Sequence, residues 1–194
     1  MITLFALLSG LTLLISYLVY FRQMIRGYSN PNPSSWFIWS LVMIMNALTY
    51  HQILIHNPIK AVTAYVAALC LISISIYALL RKRFSRIHYF DGISVFLALC
   101  TGIFWQLTNN AFLAQIALQI ILVLSYIPTL YGIYKGHASE QVYSWVLVVM
   151  SYIFLVISIM LDYRGHWIEL LFPLVNGILG NGLVVIFILK KKNS

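Results

Sequence analysis

Amide and hydroxyl side chains lie at helical spacing inside long apolar segments of this sequence. Asn46 and Tyr50 are four residues apart in one segment, and Gln119 follows Gln115 at the same spacing in another. Residues four apart share one face of a helix, and Asn176 lies in a third segment. Because a carboxamide donates and accepts hydrogen bonds at once, these side chains are candidates to bind a hydroxyl-bearing solute. The alternative, hydrogen bonding between packed helices, stays open.

Three tryptophans and one proline are candidates for stacking on a solute and for gating. Trp39 is predicted to contact the solute, while Trp36 and Trp145 lie near the start of two apolar segments and are predicted to form a gate. Pro128 removes one backbone donor inside its segment and should bend the helix, so we predict a hinge there. The alternatives are tryptophans that anchor the chain at a membrane interface and a static kink.

Nucleophilic and metal-ligating side chains are not clustered. The four carboxylates lie at the ends of apolar segments or between them: Asp91, Glu140, Asp162 and Glu169. Cys70 and Cys100 lie inside apolar runs without CxxC spacing, which indicates small core residues. We therefore expect no enzyme activity, no catalytic residue, no metal and no cofactor.

The composition is typical of a membrane protein. Of the 194 residues, 62% are hydrophobic and 8% charged, against roughly a quarter charged in a soluble domain. About 20 apolar residues cross the hydrocarbon core as a helix. Seven segments are long enough: 2–21, 35–55, 59–80, 90–107, 111–134, 142–161 and 167–189. We predict an all-α polytopic membrane protein with seven transmembrane helices.

The basic residues fall mainly on one side when the seven predicted helices alternate across the bilayer. Lys60 and Arg164 fall on the other side. The remaining ten are Arg22, Arg26, Arg81, Lys82, Arg83, Arg86, Lys135, Lys190, Lys191 and Lys192. This bias indicates topology rather than nucleic-acid binding, with the N-terminus outside and the C-terminus cytoplasmic. We expect the plasma (inner) membrane rather than an organelle.

An internal repeat appears when the sequence is aligned with itself at an offset of 109 residues. The matched pairs are Ser16 with Ser125, Tyr17 with Tyr126, Arg26 with Lys135, Gly27 with Gly136, Ser35 with Ser144 and Trp36 with Trp145. The offset relates spans one to three with spans five to seven. We therefore predict a first three-helix repeat (1–83), a linker helix (84–108) and a second three-helix repeat (109–194), a 3+1+3 plan used by transporters.

The second half also carries motifs of a known superfamily. They are Ser125-Tyr126-Ile127-Pro128, Lys135-Gly136, Ser139-Glu140, Ser144-Trp145, Phe172-Pro173 and Asn176-Gly177 with Gly180. With these residues the chain resembles a divergent member of the SWEET and PQ-loop superfamily of membrane transporters. The resemblance implies a hinge at Pro128 and a substrate-facing Asn176. The first half has Val19 and Ala67 at the matching positions.

The resemblance and the polar residues predict a facilitative alternating-access carrier of a small neutral polar solute, with sugars first. No carboxylate lies in the middle of a predicted span, which favours facilitated diffusion over ion coupling. Two alternatives stay open: a nicotinamide riboside-like vitamin carrier, in which Trp39 or Tyr50 would stack on the substrate, and a non-transporting peptide-sorting receptor of the same fold. The expected partners are the solute and the lipid bilayer, and a homo-oligomer stays open.

Overall fold

The computed structural model describes residues 1–30, 33–81 and 89–192, and all their regular secondary structure is helical. The long helices are α1 (Ile2–Ile25), α2 (Pro33–Ile53), α3 (Val62–Leu80), α4 (Tyr89–Thr108), α5 (Ala111–Lys135), α6 (Val142–Met160) and α7 (Ile168–Lys192). A 3-10 turn, Pro58–Ala61, precedes α3. Lys82, Arg83 and Arg86, and the predicted boundary between residues 83 and 84, lie outside the described residues.

Within the described residues, five helices are long and apolar enough to cross a bilayer. They are α1, α3 with its preceding 3-10 turn, α5, α6 and α7, with mean hydropathies from 1.9 to 2.3. Helix α2 has 21 residues, but its second half contains Asn46, Thr49, His51 and Gln52, which make it less apolar. The described helices therefore support the prediction of an integral membrane protein.

The outer surfaces of the helices are apolar, as a lipid environment requires. On α1, Leu4, Leu11 and Leu18 recur every seven residues and are exposed, while Ser9 and Ser16 face inward and are buried. Lipid tails are as apolar as leucine, so exposing these leucines to lipid costs no free energy. Small and polar residues instead form the contacts between helices. The Ser9 hydroxyl, for example, is 2.7 Å from that of Thr63 on α3.

Two helix pairs form the centre of the bundle, α1 with α6 and α2 with α5. Helix α3 packs on α1 and α2, and α7 packs on α6 and α5. Helix α4 contacts α5 and α2. The α4–α5 connection is short because Asn109 adopts a left-handed φ of 50° and the Asn110 side chain accepts a hydrogen bond from Leu113 N at 3.1 Å, which caps α5.

The loops after α1 and α5 meet at one end of the bundle, which we call the basic end. Gly27 and Gly136, a matched pair of the repeat, have φ of 78° and 79°, a left-handed conformation that favours glycine after a helix. Beyond them, Asn30 N donates to Ser139 O at 2.7 Å. The loops after α2 and α6 lie at the opposite end, where Lys60 Nζ is 3.1 Å from Asp162 Oδ2.

Candidate solute-binding cavity

A cavity of about 30 Å³ lies at the centre of the bundle, among α1, α2, α3, α5, α6 and α7. Seven aromatic rings line it: Tyr17, Tyr20, Trp36, Trp39, Tyr126, Trp145 and Tyr152. The polar residues of its wall are Ser16, Ser144, Asn176 and Asn181, and Met43, Leu71 and Val148 complete the lining. None of these side chains carries a formal charge at neutral pH, so the lining suits a neutral guest.

The tryptophans form one continuous aromatic wall because of their helical spacing. On α2, Trp36, Trp39 and Met43 recur at intervals of three and four residues, which places them on one inward face. The Trp39 ring centroid lies 5.7 Å from that of Trp36 and 6.1 Å from that of Trp145. The Tyr126 ring of α5 lies 5.0 Å from Trp39. The predicted stacking residue and the two predicted gate residues are therefore mutual neighbours.

Two of the polar groups on the wall are suited to recognise hydroxyls. Asn176 is buried, and its Oδ1 accepts a hydrogen bond from Tyr126 Oη at 3.0 Å. The indole N–H of Trp36 has no hydrogen-bond partner among the described residues, although the side chain is 3% exposed. The Trp39 indole N–H instead donates to Ser125 Oγ. A buried donor without a partner is costly, so the Trp36 N–H is a candidate donor to an oxygen of a guest.

Helix α7 is irregular next to the cavity, where residues Phe172–Gly180 form a π-helix. Pro173 has no N–H to donate to the carbonyl of Glu169, four residues earlier. Tyr50 Oη donates to that carbonyl at 2.7 Å. One turn later, Asn181 Nδ2 donates to the carbonyls of Asn176 at 2.8 Å and Gly177 at 2.9 Å. The widened turn thus keeps Asn176 on the cavity wall through side-chain bonds from neighbouring residues.

The glycines of α7 make room for cavity-lining rings. A methyl group on Gly177 would lie 2.8 Å from Tyr152 Cβ, and one on Gly180 would lie 2.5 Å from Tyr126 Cε2. Both distances are far shorter than the contact distance of about 3.5–4 Å between carbon atoms. Tyr152 and Tyr126 therefore lie directly against the backbone of α7, and the size of the cavity depends on both glycines.

The polar stripes of α2 and α5 meet in a hydrogen-bonded cluster outside the cavity lining. Asn46 Oδ1 accepts from Gln115 Nε2 at 2.9 Å and from Gln119 Nε2 at 2.8 Å. Thr49 Oγ1 donates to Gln115 Oε1 at 2.9 Å. Gln119 Oε1 has no partner among the described residues. The cluster joins α2 to α5, which is the helix-packing arrangement that the sequence left open.

Two contacts, which we call closures, join the first half of the chain to the second, one at each end of the bundle. At the basic end, the Tyr20 ring stacks on Trp36 with centroids 4.4 Å apart and meets Trp145 edge-on at 6.2 Å. At the opposite end, the buried Lys60 pairs with Asp162, and this hydrogen bond holds the pKa of Asp162 below its usual value. The cavity is too small to hold a sugar in this conformation.

The structure divides the predicted site residues into two groups. Asn176, Trp39, Trp36 and Trp145 line the cavity. Asn46 and Gln119 bond to each other, and Tyr50 is fully buried against α7. Pro128 lies inside α5, and the α-helix continues through it to Lys135.

Several lining residues were not predicted from the sequence, notably Tyr17, Tyr20, Tyr126, Tyr152 and Asn181. Tyr17 and Tyr126 could have been found, because they are a matched pair of the repeat, and a residue that recurs in both halves can face a shared axis. Nothing in the local sequence distinguishes Tyr20 or Tyr152 from the other tyrosines of the chain.

The fold and cavity describe an all-helical protein with helices suited to a membrane and an aromatic cavity in its centre. No protein-family model, curated protein or solved structure matches the chain.

Proposed function

We propose that the chain is a facilitative carrier of a small neutral polar solute, with sugars first, working by alternating access. The observation that carries this proposal is the central cavity, which is lined by aromatic rings and uncharged polar groups. A carrier needs an enclosed site that each side of the membrane reaches in turn. In this proposal all seven helices span the bilayer, and the basic end is cytoplasmic.

The 3+1+3 plan is supported by local geometry at the offset of 109 residues. Helix α2 begins at Pro33 and α6 at Val142, which differ by that offset. Gly27 and Gly136 share one conformation. Exchanging the two halves also converts the α1–α6 pair into the α5–α2 pair, and these are the two central pairs of the bundle. Helix α4 lies to one side, as a linker would.

The chemistry of the cavity wall favours a ring-shaped solute with hydroxyl groups. The face of a sugar ring presents C–H groups that pack well on an aromatic face, and the Trp39 ring is available for this contact. The Trp36 N–H can donate to a hydroxyl oxygen, and Asn176 can accept and donate. The uncharged lining disfavours charged solutes, because burying an unpaired charge is costly.

The cavity is closed around a much smaller volume than a sugar requires. Its volume is about 30 Å³, whereas ligand pockets start at about 300 Å³. Binding therefore requires the two halves to separate around the aromatic wall. We expect α1 and α6 to move apart at the basic end, because Tyr20 and Trp145 lie on these two helices.

A second candidate solute is a nucleoside-like vitamin of the nicotinamide riboside type. The continuous wall formed by Trp36, Trp39 and Trp145 favours it, since a flat heteroaromatic ring stacks on indole. Competition between labelled hexoses and nucleosides for the same purified protein separates the two candidates.

The direct test is uptake of labelled neutral solutes into proteoliposomes. Asn176→Ala should reduce uptake at least tenfold. Trp36→Phe keeps an aromatic ring, smaller than indole, but removes the N–H, so it should raise KM about tenfold, in line with about 1.5 kcal/mol for a lost hydrogen bond. Ser73→Ala serves as the control, because Ser73 lies on an exposed face and bonds only to its own helix. Unchanged background uptake across hexoses, pentoses and nucleosides would refute the proposal.

A further inference from the structure

Glu140 is a buried carboxylate at the basic end of the cavity, although it belongs to the loop between α5 and α6. Its side chain is 7% exposed. Its Oε1 accepts a hydrogen bond from Tyr20 Oη at 2.9 Å, and its Oε2 accepts one from Trp145 Nε1 at 3.2 Å. Both donors are rings of the cavity wall. Glu140 therefore lies directly behind the closure of the basic end.

Glu140 has no counter-charge in the part of the chain that the structure describes. The ion pairs described there are those of Lys60 and Arg164 with Asp162, at the opposite end. The basic groups that the structure describes at this end are exposed: Arg22 and Arg26 on α1, Arg81 after α3, Lys135 on α5, His137 in the loop, and Lys190, Lys191 and Lys192 on α7. The groups that face the carboxylate are the uncharged Tyr20 of α1 and Trp145 of α6.

Burial without a cation raises the pKa of Glu140 to about 7. The hydrogen bonds from Tyr20 and Trp145 act in the opposite direction and stabilise the charged form, but they do not outweigh burial. The carboxylate thus titrates close to physiological pH while the basic end is closed.

Opening the basic end must change the surroundings of this group. Tyr20 belongs to α1 and Glu140 to the second half of the chain, so the bond between them crosses the interface at which the proposed carrier opens. The neighbouring bond from Ser16 Oγ to Ser144 O, 3.0 Å long, crosses the same interface. Once α1 moves away, water reaches the carboxylate and replaces the tyrosine as donor.

We propose that Glu140 is a proton-binding site that stabilises the closed basic end when protonated, so that opening toward that side depends on its pH. This inference rests on the proposed function. The proton needed comes from the aqueous phase at the basic end and returns there when the carboxylate ionises. The carrier thereby gains a pH dependence that the absence of a mid-span carboxylate does not predict.

Whether acid favours the closed or the open form follows from the two environments of the carboxylate. The pKa is about 7 when closed and about 4.3 when hydrated, so the closed form binds the proton more tightly. Acid therefore favours the closed form, and this preference is lost as the pH rises through 7. Between pH 6 and pH 8 the ratio of closed to open protein should fall about tenfold.

The closure can be measured without a substrate, by the rate at which an impermeant maleimide labels a cysteine in the cavity. Cys70 and Cys100 are first replaced by alanine, and Ser144→Cys supplies the reporter at the basic end. Tyr143→Cys, on the exposed face of the same turn, is the control. Dividing the reporter's labelling rate by that of the control removes the pH dependence that comes from ionisation of the thiol itself. We expect the labelling ratio of reporter to control to rise about tenfold from pH 6 to pH 8.

Two variants then test the role of the carboxylate. Glu140→Gln should make the labelling ratio independent of pH, because the amide does not titrate. Tyr20→Phe removes a bond that lowers the pKa of Glu140, so the midpoint of the labelling curve should move to higher pH. This second variant keeps the test valid if Glu140→Gln does not fold.

The outcomes separate the two proposals. A labelling ratio that is flat in the reporter protein, or that keeps its pH dependence in Glu140→Gln, overturns the proton site. Solute uptake together with a labelling ratio that does not change with pH supports the carrier proposal and refutes the proton site. A pH-dependent closure without uptake of any solute supports the proton site and refutes the carrier proposal.

Discussion

The contact between Gly177 and Tyr152 offers a test of the cavity by stability alone. A methyl group in Gly177→Ala would overlap the base of the Tyr152 side chain, 2.8 Å from its Cβ. The ring cannot avoid it by a small rotation, because the clash lies close to its own backbone. Overpacking of this kind costs about 1–3 kcal/mol.

Alanine also has a higher helix propensity than glycine, by about 1 kcal/mol, which opposes the clash. Gly182→Ala measures this second effect, because Gly182 lies on the same helix and a methyl group there meets no atom within 4 Å. The difference in the free energy of unfolding between the two variants should therefore equal the cost of the overlap, about 1–3 kcal/mol, with Gly177→Ala the less stable.

The assay is equilibrium unfolding in mixed detergent micelles, with helix content as the signal. Replacing Tyr152 by leucine in the Gly177→Ala background should recover part of the loss, since the two positions are coupled. Equal stability of Gly177→Ala and Gly182→Ala would show that Tyr152 does not lie against α7. In that case the geometry of the cavity would be wrong on that side.

Two further predictions concern the opposite end. Tyr50→Phe should lower the free energy of unfolding by about 1–3 kcal/mol, because the Glu169 carbonyl loses its donor; in a Pro173→Ala background, where an N–H is restored, the loss should be smaller. Lys60→Met removes the partner of Asp162, whose pKa is lowered in the folded protein. The stability difference between wild type and Lys60→Met should therefore be constant above pH 5 and shrink below about pH 4, as Asp162 takes up a proton and the pair is lost. Chemical unfolding at a series of pH values measures both effects, and a difference that grows in acid would contradict the second.

Helix positions were predictable because hydropathy and turn formers act locally. The apolar segment 111–134 became α5, Ala111–Lys135, with Asn110 as its cap. The segment predicted over 35–55 begins earlier in the structure, since α2 begins at Pro33. Proline fits the first turn of a helix, where its missing N–H is not needed, so it marks a helix start here rather than a loop.

The site was only partly predictable, because its contacts join residues far apart in the chain. Trp36, Trp145 and Asn176 were predicted from their residue types to be site residues, and they line the candidate cavity. Glu140 was placed in a loop on the basis of its neighbours. Its burial depends on Tyr20, 120 residues away. A sequence pattern shows which residues share a face of a helix but not what that face contacts. For this reason the sequence could not decide whether Asn46 and Gln119 bind a solute or join two helices.

The two closures differ in chemistry, and this difference makes the conformational preference of the proposed carrier depend on the pH at the basic end. At the basic end, Glu140 is held by uncharged donors and titrates near pH 7. At the opposite end, Asp162 is held by Lys60, which lowers its pKa. Between about pH 4 and pH 7, Glu140 takes up a proton while Asp162 stays ionised. Acid at that side should therefore shift the population toward the form closed at the basic end, while the opposite closure is unaffected.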